Sequence, residues 1–98
     1  MIVRFTSDAE ADLESIGDYI ARDNPQRAIS FVRELRACCL ELAFLPLAWP
    51  LVPRYEASGI RRRIHGDYLV FFLPGQEAVT VLRVLHGATD YVSIIEPF

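Results

Sequence analysis

Apolar residues recur at two different periods along this chain of 98 residues, and the change of period separates a helical part from a β-rich part. Between residues 9 and 45 they recur every three or four positions, the spacing of one face of an α-helix. Between residues 60 and 86, β-branched and aromatic residues form short runs bounded by turn residues, which is typical of strands. The pattern therefore predicts an α/β fold of the α+β kind.

Two helices are predicted in the first part. The four residues from Ser7 to Glu10 match a capping box, which predicts that the first helix starts there. Asn24 and the proline after it predict the end of that helix and the start of the next, because asparagine caps helices and proline suits the first helical position. The second helix is expected to reach about Leu45 and to stop at Pro46. So short a connection predicts an antiparallel helical hairpin.

Three strands are predicted in the second part. Residues 60–65 and 68–73 flank a Gly-Asp pair and predict a β-hairpin, and residues 78–86 follow the next turn as a third strand. Residues 2–5 are a further short strand that should join this meander at its edge or centre. The expected architecture is an N-terminal strand and an antiparallel helical hairpin packed on a small, mainly antiparallel sheet, in one domain spanning residues 1–98.

The strand from Tyr68 to Leu73 is apolar on both faces, which predicts a central strand covered above and below. One helical hairpin can cover only one face. The other face must be covered by the C-terminal segment, by the proline-rich connection at residues 47–58, or by another chain. Four C-terminal residues have the spacing of a helical turn that can pack there: Tyr91, Ile94, Ile95 and Phe98.

Composition points to a protein partner. A hydrophobic fraction of 52% is high for so small a chain, because small domains leave much of their apolar surface in water. Charged residues interrupt every apolar run before the roughly 18 residues of a membrane span. The N-terminus lacks the apolar region of a signal peptide, so we expect a cytoplasmic protein that does not enter a membrane.

Charge is unevenly distributed along the chain. The net charge of −3 argues against stable binding of nucleic acid by the chain alone, which would need a broad basic surface. Residues 1–23 hold six acids and two arginines, whereas residues 54–65 hold four arginines and one acid. All ten basic residues are arginine, which suits planar contact with carboxylate or phosphate but is equally the result of a biased genome composition.

The run from Arg61 to Arg63 has two interpretations. It is a solvated or ion-paired strand face, or it forms an anion site together with Arg83 on a neighbouring strand and with His65 or His86. In the second case a histidine and Tyr68 could supply a general acid and base for RNA cleavage.

Other chemical motifs are missing from the sequence. We find no phosphate-binding glycine loop, nucleophile elbow or metal-ligand spacing, and we expect no cofactor. Cys38 and Cys39 are adjacent on a predicted helix, so their side chains diverge and cannot pair with each other. We interpret them as reduced thiols that pack in the core.

Several segments together resemble the ParE toxins, which belong to the ParE/RelE superfamily of bacterial toxin–antitoxin modules. The resemblance covers nearly the whole chain and rests on the following residues: Ala11-Asp12-Leu13, Ile16, Tyr19-Ile20, Asp23-Asn24-Pro25, Ala28, Phe31, Gly59, Arg61, Tyr68-Leu69-Val70, Phe72, residues 81–88 (Val-Leu-Arg-Val-Leu-His-Gly-Ala) and Asp90.

The resemblance implies a toxin of a type II toxin–antitoxin system that is not itself an enzyme. Such a toxin poisons DNA gyrase, leaves cleaved DNA bound to the topoisomerase and so blocks replication. It also implies a ParD-like antitoxin whose C-terminal segment wraps the toxin in a hetero-oligomer. The residues expected to contact the target or the antitoxin are Arg61, Arg63, Arg83, His86 and Tyr68, together with Tyr91, Ile94, Ile95 and Phe98 in the tail.

Two other functions stay open. One is ribosome-dependent mRNA cleavage in the RelE manner. The RelE branch often carries arginine in the central strand and just after the last strand, whereas the matching stretches here, at residues 68–70 and 86–89, hold apolar or small residues. One departure weakens the ParE assignment itself, and with it the expectation of full toxicity: many relatives have arginine at the place of Thr89. The other function is that of a non-toxic module that only binds an antitoxin.

Overall fold

A computed structural model describes residues 1–96 of the chain. Its regular elements, in chain order, are β1 (Ile2–Phe5), α1 (Ser7–Ala21), α2 (Pro25–Leu40), β2 (Arg61–His65), β3 (Tyr68–Pro74), β4 (Ala78–His86) and α3 (Val92–Ile95). Three short 3-10 turns lie between α2 and β2, at Glu41–Ala43, Pro46–Ala48 and Glu56–Ser58. This is the predicted α+β arrangement. Within the described range, no helix is long and apolar enough to cross a membrane.

The four strands form one mixed sheet in the order β1-β4-β3-β2. The last three strands are the predicted antiparallel meander, and β1 joins it at the edge by pairing in parallel with β4. The turn between β2 and β3 has a positive φ of 58° at Gly66, a conformation that glycine adopts without steric cost. Phe71 pairs with Arg83 and Phe72 with Val81, so Leu82 is an extra residue that forms a bulge in β4.

The first helix is capped by Thr6, which corrects the predicted capping box at Ser7. The Thr6 hydroxyl accepts the Ala9 N–H at 3.0 Å and donates to the Leu82 carbonyl at 2.7 Å. The Thr6 N–H still bonds to the Val81 carbonyl, so this residue ends the strand and starts the helix. Glu10 does not reach back to the cap, because its carboxylate binds Arg36 on α2.

The second helix starts as predicted, with the Asn24 side chain accepting the Arg27 N–H at 3.0 Å. It ends at Leu40 and not at about Leu45, which corrects the predicted length. The chain tightens into a 3-10 turn, and Leu45 then leaves the helical region with φ −139° and ψ 63°. This follows from the proline at position 46, which disfavours helical backbone at the residue before it.

The sheet separates two apolar layers. Between the sheet and the helical hairpin lie Leu13, Leu35, Val70 and Phe72, all almost fully buried. On the opposite face the buried side chains are Val52, Ile60, Leu69, Phe71, Leu82, Leu85 and Ile95, with Tyr55, Tyr91 and Ile94 packed against them. The prediction that β3 is covered on both faces is therefore confirmed, and both the tail and the proline-rich connection supply the cover. Phe98 lies outside the described residues.

Both cysteines are buried and unpaired, as predicted. Burial raises the pKa of the Cys39 thiol to about 12 and also raises the pKa of Cys38. A thiol with so high a pKa stays protonated at neutral pH, and only the thiolate is a good nucleophile or metal ligand.

Candidate functional site

The arginines of β2 point to opposite faces of the sheet, as the alternation predicted. Arg61 and Arg63 lie on the face of the helices, and Arg62 lies on the other face, where its Nη1 atom donates to the Tyr91 hydroxyl at 3.2 Å. The alternation follows from the two-residue period of a strand. Arg62 therefore ties the tail to the edge strand of the sheet.

Arg61 and Arg63 bind the chain that leads out of α2. Arg61 Nη1 donates to the Trp49 carbonyl at 2.7 Å and reaches the Leu47 carbonyl at 3.4 Å. Arg63 Nη1 donates to the Cys38 carbonyl at 3.0 Å and lies 3.0 Å from the Glu41 carboxylate. The Arg63 guanidinium also stacks over the Trp49 ring, 4.5 Å from its centroid. Both side chains thus anchor the start of the proline-rich connection.

Arg83 is held by α1. Its Nε and Nη2 atoms donate to the two carboxylate oxygens of Asp12 at 2.7 and 2.8 Å, and both side chains are largely buried. The hydrogen bonds to Asp12 raise the pKa of Arg83 above its usual range. Of the two interpretations of the arginine run, the structure supports the ion-paired one. The alternative anion site does not form, because β3 lies between the strands that carry Arg61, Arg63 and Arg83 and each guanidinium binds a different part of the protein. A contact of each with a target or an antitoxin stays a prediction.

Three predicted side chains do come together in a row of rings across the sheet. His65 pairs with Tyr68, and Tyr68 pairs with His86 in the register of β2, β3 and β4. The Tyr68 and His86 ring centroids are 5.3 Å apart, in an edge-on arrangement. Phe31 of α2 covers the row, with its centroid 5.5 Å from that of Tyr68 and 5.9 Å from that of His65. We call this set the aromatic row.

The aromatic row borders a cleft of about 830 Å³ between the sheet and the helical hairpin. Burial, followed by the charges of Tyr19 and Asp67, raises the pKa of Tyr68, so its phenol stays protonated at neutral pH. The His86 Nδ1 atom accepts the Ala88 N–H at 3.0 Å. The cleft can thus offer a neutral tyrosine hydroxyl and one free imidazole nitrogen, which are groups suited to hydrogen bonding with a peptide or a base edge.

Charge in this cleft is balanced and not strongly basic. Asp12 and Asp67 line it together with one arginine, Arg27. That arginine lies 3.1 Å from Glu34 and stacks 5.0 Å above the Phe31 ring. A site that cleaves RNA needs cations that stabilise the charge on the reacting phosphate, and here the nearby cations bind carboxylates of the protein.

A second groove, of about 1120 Å³, runs between α1 and α2 on the side away from the sheet. Sequence analysis did not predict it. Its sides differ in charge, with Glu14 and Asp18 on α1 and Arg33 on α2. Gly17 could have indicated this groove from the sequence. Glycine in a helix interior lowers helix stability by about 1 kcal/mol relative to alanine, so its presence there points to a close contact. A Cβ at that position would lie 3.2 Å from Val32 Cγ2, so any other residue would require Val32 to shift by a few tenths of an ångström. Small and apolar residues line the groove: Ala11, Gly17, Ala21, Ala28, Ile29 and Val32.

The three predicted tail residues that the structure describes pack on the sheet. Ile95 is 1% exposed, and the Tyr91 ring lies 5.1 Å from that of Phe71. Ile94 packs against the same apolar layer. The tail therefore completes the core of the free chain, which was one of the two roles considered for it.

Metal chemistry has no site in the part of the chain that the structure describes. Among residues 1–96, no three His, Cys, Asp or Glu side chains cluster closely enough to hold a metal ion.

Comparison with known proteins identifies the family. The sequence-family model described as the ParE toxin of the type II toxin–antitoxin system parDE matches residues 3–91 of this chain. No curated protein sequence matches the chain. Among solved structures, one described as the chromosomal ParDE system from P. aeruginosa superposes with a TM-score of 0.75 at 22% identity, over 88% of this chain and 95% of that one.

A second similar structure is that of the toxin–antitoxin complex RelBE2 from Mycobacterium tuberculosis. It has a TM-score of 0.66 at 26% identity and covers 90% of this chain and 92% of that one. Both structures share the fold described above. Because the family model spans nearly the whole sequence, the chain belongs to the ParE toxin family of type II toxin–antitoxin systems.

Proposed function

We propose that this ParE-type toxin acts in the cytoplasm by poisoning DNA gyrase and blocking replication. In this proposal it acts by binding and catalyses no reaction of its own. Gyrase would be held with its DNA cleaved, and replication would stop at the trapped complex.

The observation that carries the proposal is that the arginines of the sheet are hydrogen-bonded within the protein itself. Arg61, Arg63 and Arg83 each donate to carbonyl or carboxylate oxygens of the protein itself. An RNA-cleaving toxin would need such cations free to approach the scissile phosphate. Their engagement favours a toxin that recognises a protein, and the match to the ParE model favours gyrase as that protein.

We further propose that a ParD-like antitoxin neutralises the toxin in a hetero-oligomer. The groove between α1 and α2 offers an apolar lining with acids on one side and an arginine on the other. These features suit an amphipathic segment that folds as it binds. A partner of this kind would also account for the high hydrophobic content of the chain.

The test is a gyrase cleavage assay with toxin freed of its antitoxin. Toxin, gyrase, ATP and supercoiled plasmid are incubated, and detergent and protease are then added to release trapped DNA ends. We expect linear DNA, which should disappear when the antitoxin is added first. Toxin unfolded by heat serves as the matched control. If folded toxin that binds its antitoxin yields no linear DNA, the gyrase proposal is wrong.

One observation favours ribosome-dependent mRNA cleavage as a second candidate. Tyr68 and His86 stand in contact in a cleft, and a tyrosine with a histidine can act as general acid and base. Toxin added to translating ribosomes would then cut the message, and Tyr68→Phe would abolish cutting while its thermal melting stays close to that of wild type. A chain that neither traps gyrase nor cuts mRNA, and that does not slow growth, would be a non-toxic antitoxin binder.

A further inference from the structure

Four large apolar side chains stand exposed where α2 gives way to the proline-rich connection. Leu40, Phe44, Leu45 and Leu47 have 50%, 81%, 70% and 68% of their surface in contact with solvent. We call them the apolar tip. None of them lines the aromatic cleft or the groove between the helices. A cluster of this kind on a small domain commonly marks a binding surface.

The apolar tip is held stiffly. Leu42, between two tip residues, is completely buried and anchors the segment in the core. The Phe44 N–H bonds to the Glu41 carbonyl at 3.1 Å, and the Ala48 N–H bonds to the Leu45 carbonyl at 3.1 Å. Pro46 restricts the backbone between those two turns. The tip therefore loses little conformational entropy when it binds, which favours affinity.

Two arginines of β2, Arg61 and Arg63, hold the backbone of the apolar tip through hydrogen bonds. Arg61 binds the carbonyls of Leu47 and Trp49, at the far end of the tip. Arg63 binds the Cys38 carbonyl and stacks on Trp49, so it joins the two ends of the segment. These two arginines act as positioning residues for the apolar side chains and bring positive charge to their base.

The tip lies at the other end of α2 from the aromatic cleft. Phe31 is the cleft-lining residue of α2 nearest to the tip, and Leu40 is the last helical residue, nine positions later. At 1.5 Å per residue this separates them by about 14 Å. No tip residue lines the cleft or the groove between the helices, so a partner segment bound in either leaves the tip exposed to a second protein.

We infer that the apolar tip is the surface by which the toxin contacts its target, by insertion into a preformed apolar pocket with an acidic rim on a folded protein. This inference rests on the proposed function. A stiff, projecting segment needs a pocket that already exists, whereas the groove and the cleft suit an antitoxin segment that folds on binding. The acidic rim follows from Arg61 and Arg63 at the base of the tip, since Glu41 pairs with Arg63 alone and the two guanidinium groups keep a positive balance there.

The test replaces the two outer side chains together, as Phe44→Ser with Leu47→Ser. The matched control is Ile64→Ser, because Ile64 is 65% exposed and lies on β2 away from the tip. Three quantities are measured for each protein: growth arrest in cells without antitoxin, affinity for the antitoxin, and linear DNA in the gyrase assay. Melting curves show whether the variants fold, and we expect shifts of no more than about 3 °C, since these sites are exposed.

The expected result is selective. The double variant should need at least about ten times more protein for half-maximal growth arrest, because buried aromatic and aliphatic anchors dominate binding. Its antitoxin affinity should stay within about threefold of wild type, and the control should behave as wild type in every assay. If the double variant melts well below wild type, the single variant Phe44→Ser is measured in the same three assays and tests the inference in its place, since Phe44 is the most exposed of the four.

Other results would overturn the inference. Undiminished growth arrest by the folded variant would show that the tip does not contact the target. Loss of antitoxin affinity would assign the tip to the antitoxin, and a wild-type chain that arrests no growth would leave the tip without a target. Failure of the proposed function is distinguishable: wild type would then arrest growth without forming linear DNA, and the tip would contact a protein other than gyrase.

Discussion

The carboxylate of Asp12 accepts the backbone N–H of Val84 at 2.9 Å, on the edge of β4 that faces away from β3. β1 pairs with residues 78–81 only, so the edge of β4 is open beyond Val81. Asp12 replaces the missing strand partner and holds Arg83 with the same carboxylate. One side chain thus joins the helical hairpin to the end of β4 and to the aromatic row beyond it.

Replacing Asp12 should therefore cost more than replacing Arg83. Asp12→Ala leaves a backbone donor and a largely buried guanidinium without partners, and we expect the free energy of unfolding to fall by about 2–3 kcal/mol. Arg83→Ala keeps the bond to Val84 and should cost about 1 kcal/mol. Denaturant unfolding of both variants and of the double variant measures the difference. Equal costs for the two single variants would show that the bond to Val84 contributes nothing.

Loss of packing and loss of a hydrogen bond can be compared in the tail. Ile95→Ala should lower the free energy of unfolding by about 2–4 kcal/mol, because Ile95 is fully buried against the sheet. Tyr91→Phe removes only the bond from Arg62 and should cost about 0.5–1 kcal/mol. Thermal melting of the two variants checks the order. A costly Tyr91→Phe together with a harmless Ile95→Ala would mean that the tail is held by its hydrogen bond and not by packing.

The ion pair between Glu10 and Arg36 should make stability depend on acid pH. The hydrogen bonds from Arg36 lower the pKa of Glu10, so the folded state favours the carboxylate. Its contribution is present above the unfolded pKa of about 4.3 and is lost as pH falls through the lower folded value. We expect wild type to melt slightly above Glu10→Gln at pH 7 and the gap to close near pH 3. The effect is small because both side chains are nearly half exposed. A gap that widens in acid would contradict the assignment.

Cys39 should resist thiol reagents until the protein unfolds. Its pKa of about 12 leaves almost no thiolate at pH 8, and the side chain is completely buried. Labelling with iodoacetamide at pH 8 should be slow in buffer and fast in denaturant, for Cys39 followed in a Cys38→Ala background. Fast labelling of the folded protein would show that the end of α2 opens readily.

The sequence predicted features that depend on local period, and it failed where distant elements decide. Alternation alone placed Arg61 and Arg63 on one face of β2 and Arg62 on the other. The choice of Thr6 over Ser7 as the helix cap depends on the pairing of β1 with β4, which no local pattern encodes. Spacing left two interpretations of the arginine run open, and the sheet order, which puts β3 between Arg63 and Arg83, decides against the anion site.

Partner surfaces were the hardest part to predict. The 52% hydrophobic content indicated that apolar surface exists, but not where it lies. Leu42 and Phe44 are two positions apart in one apolar run, yet one is completely buried and the other is 81% exposed. Both residues lie in helical backbone, where side chains two positions apart point to nearly opposite sides, so one faces the core and the other faces solvent.

The parallel pairing of β1 with β4 has a consequence for the synthesis of the toxin. Ile2 pairs with Ala78, so β1, the first strand to be synthesised, cannot pair until β4 has been synthesised. Contacts between residues so distant in sequence form slowly, because the long intervening chain must be ordered first. On the ribosome, α1 and α2 emerge before the strands that cover their apolar faces, and the sheet cannot be complete until β4 has been synthesised. The helical hairpin must therefore keep its apolar face out of contact with other chains until β4 has left the ribosome.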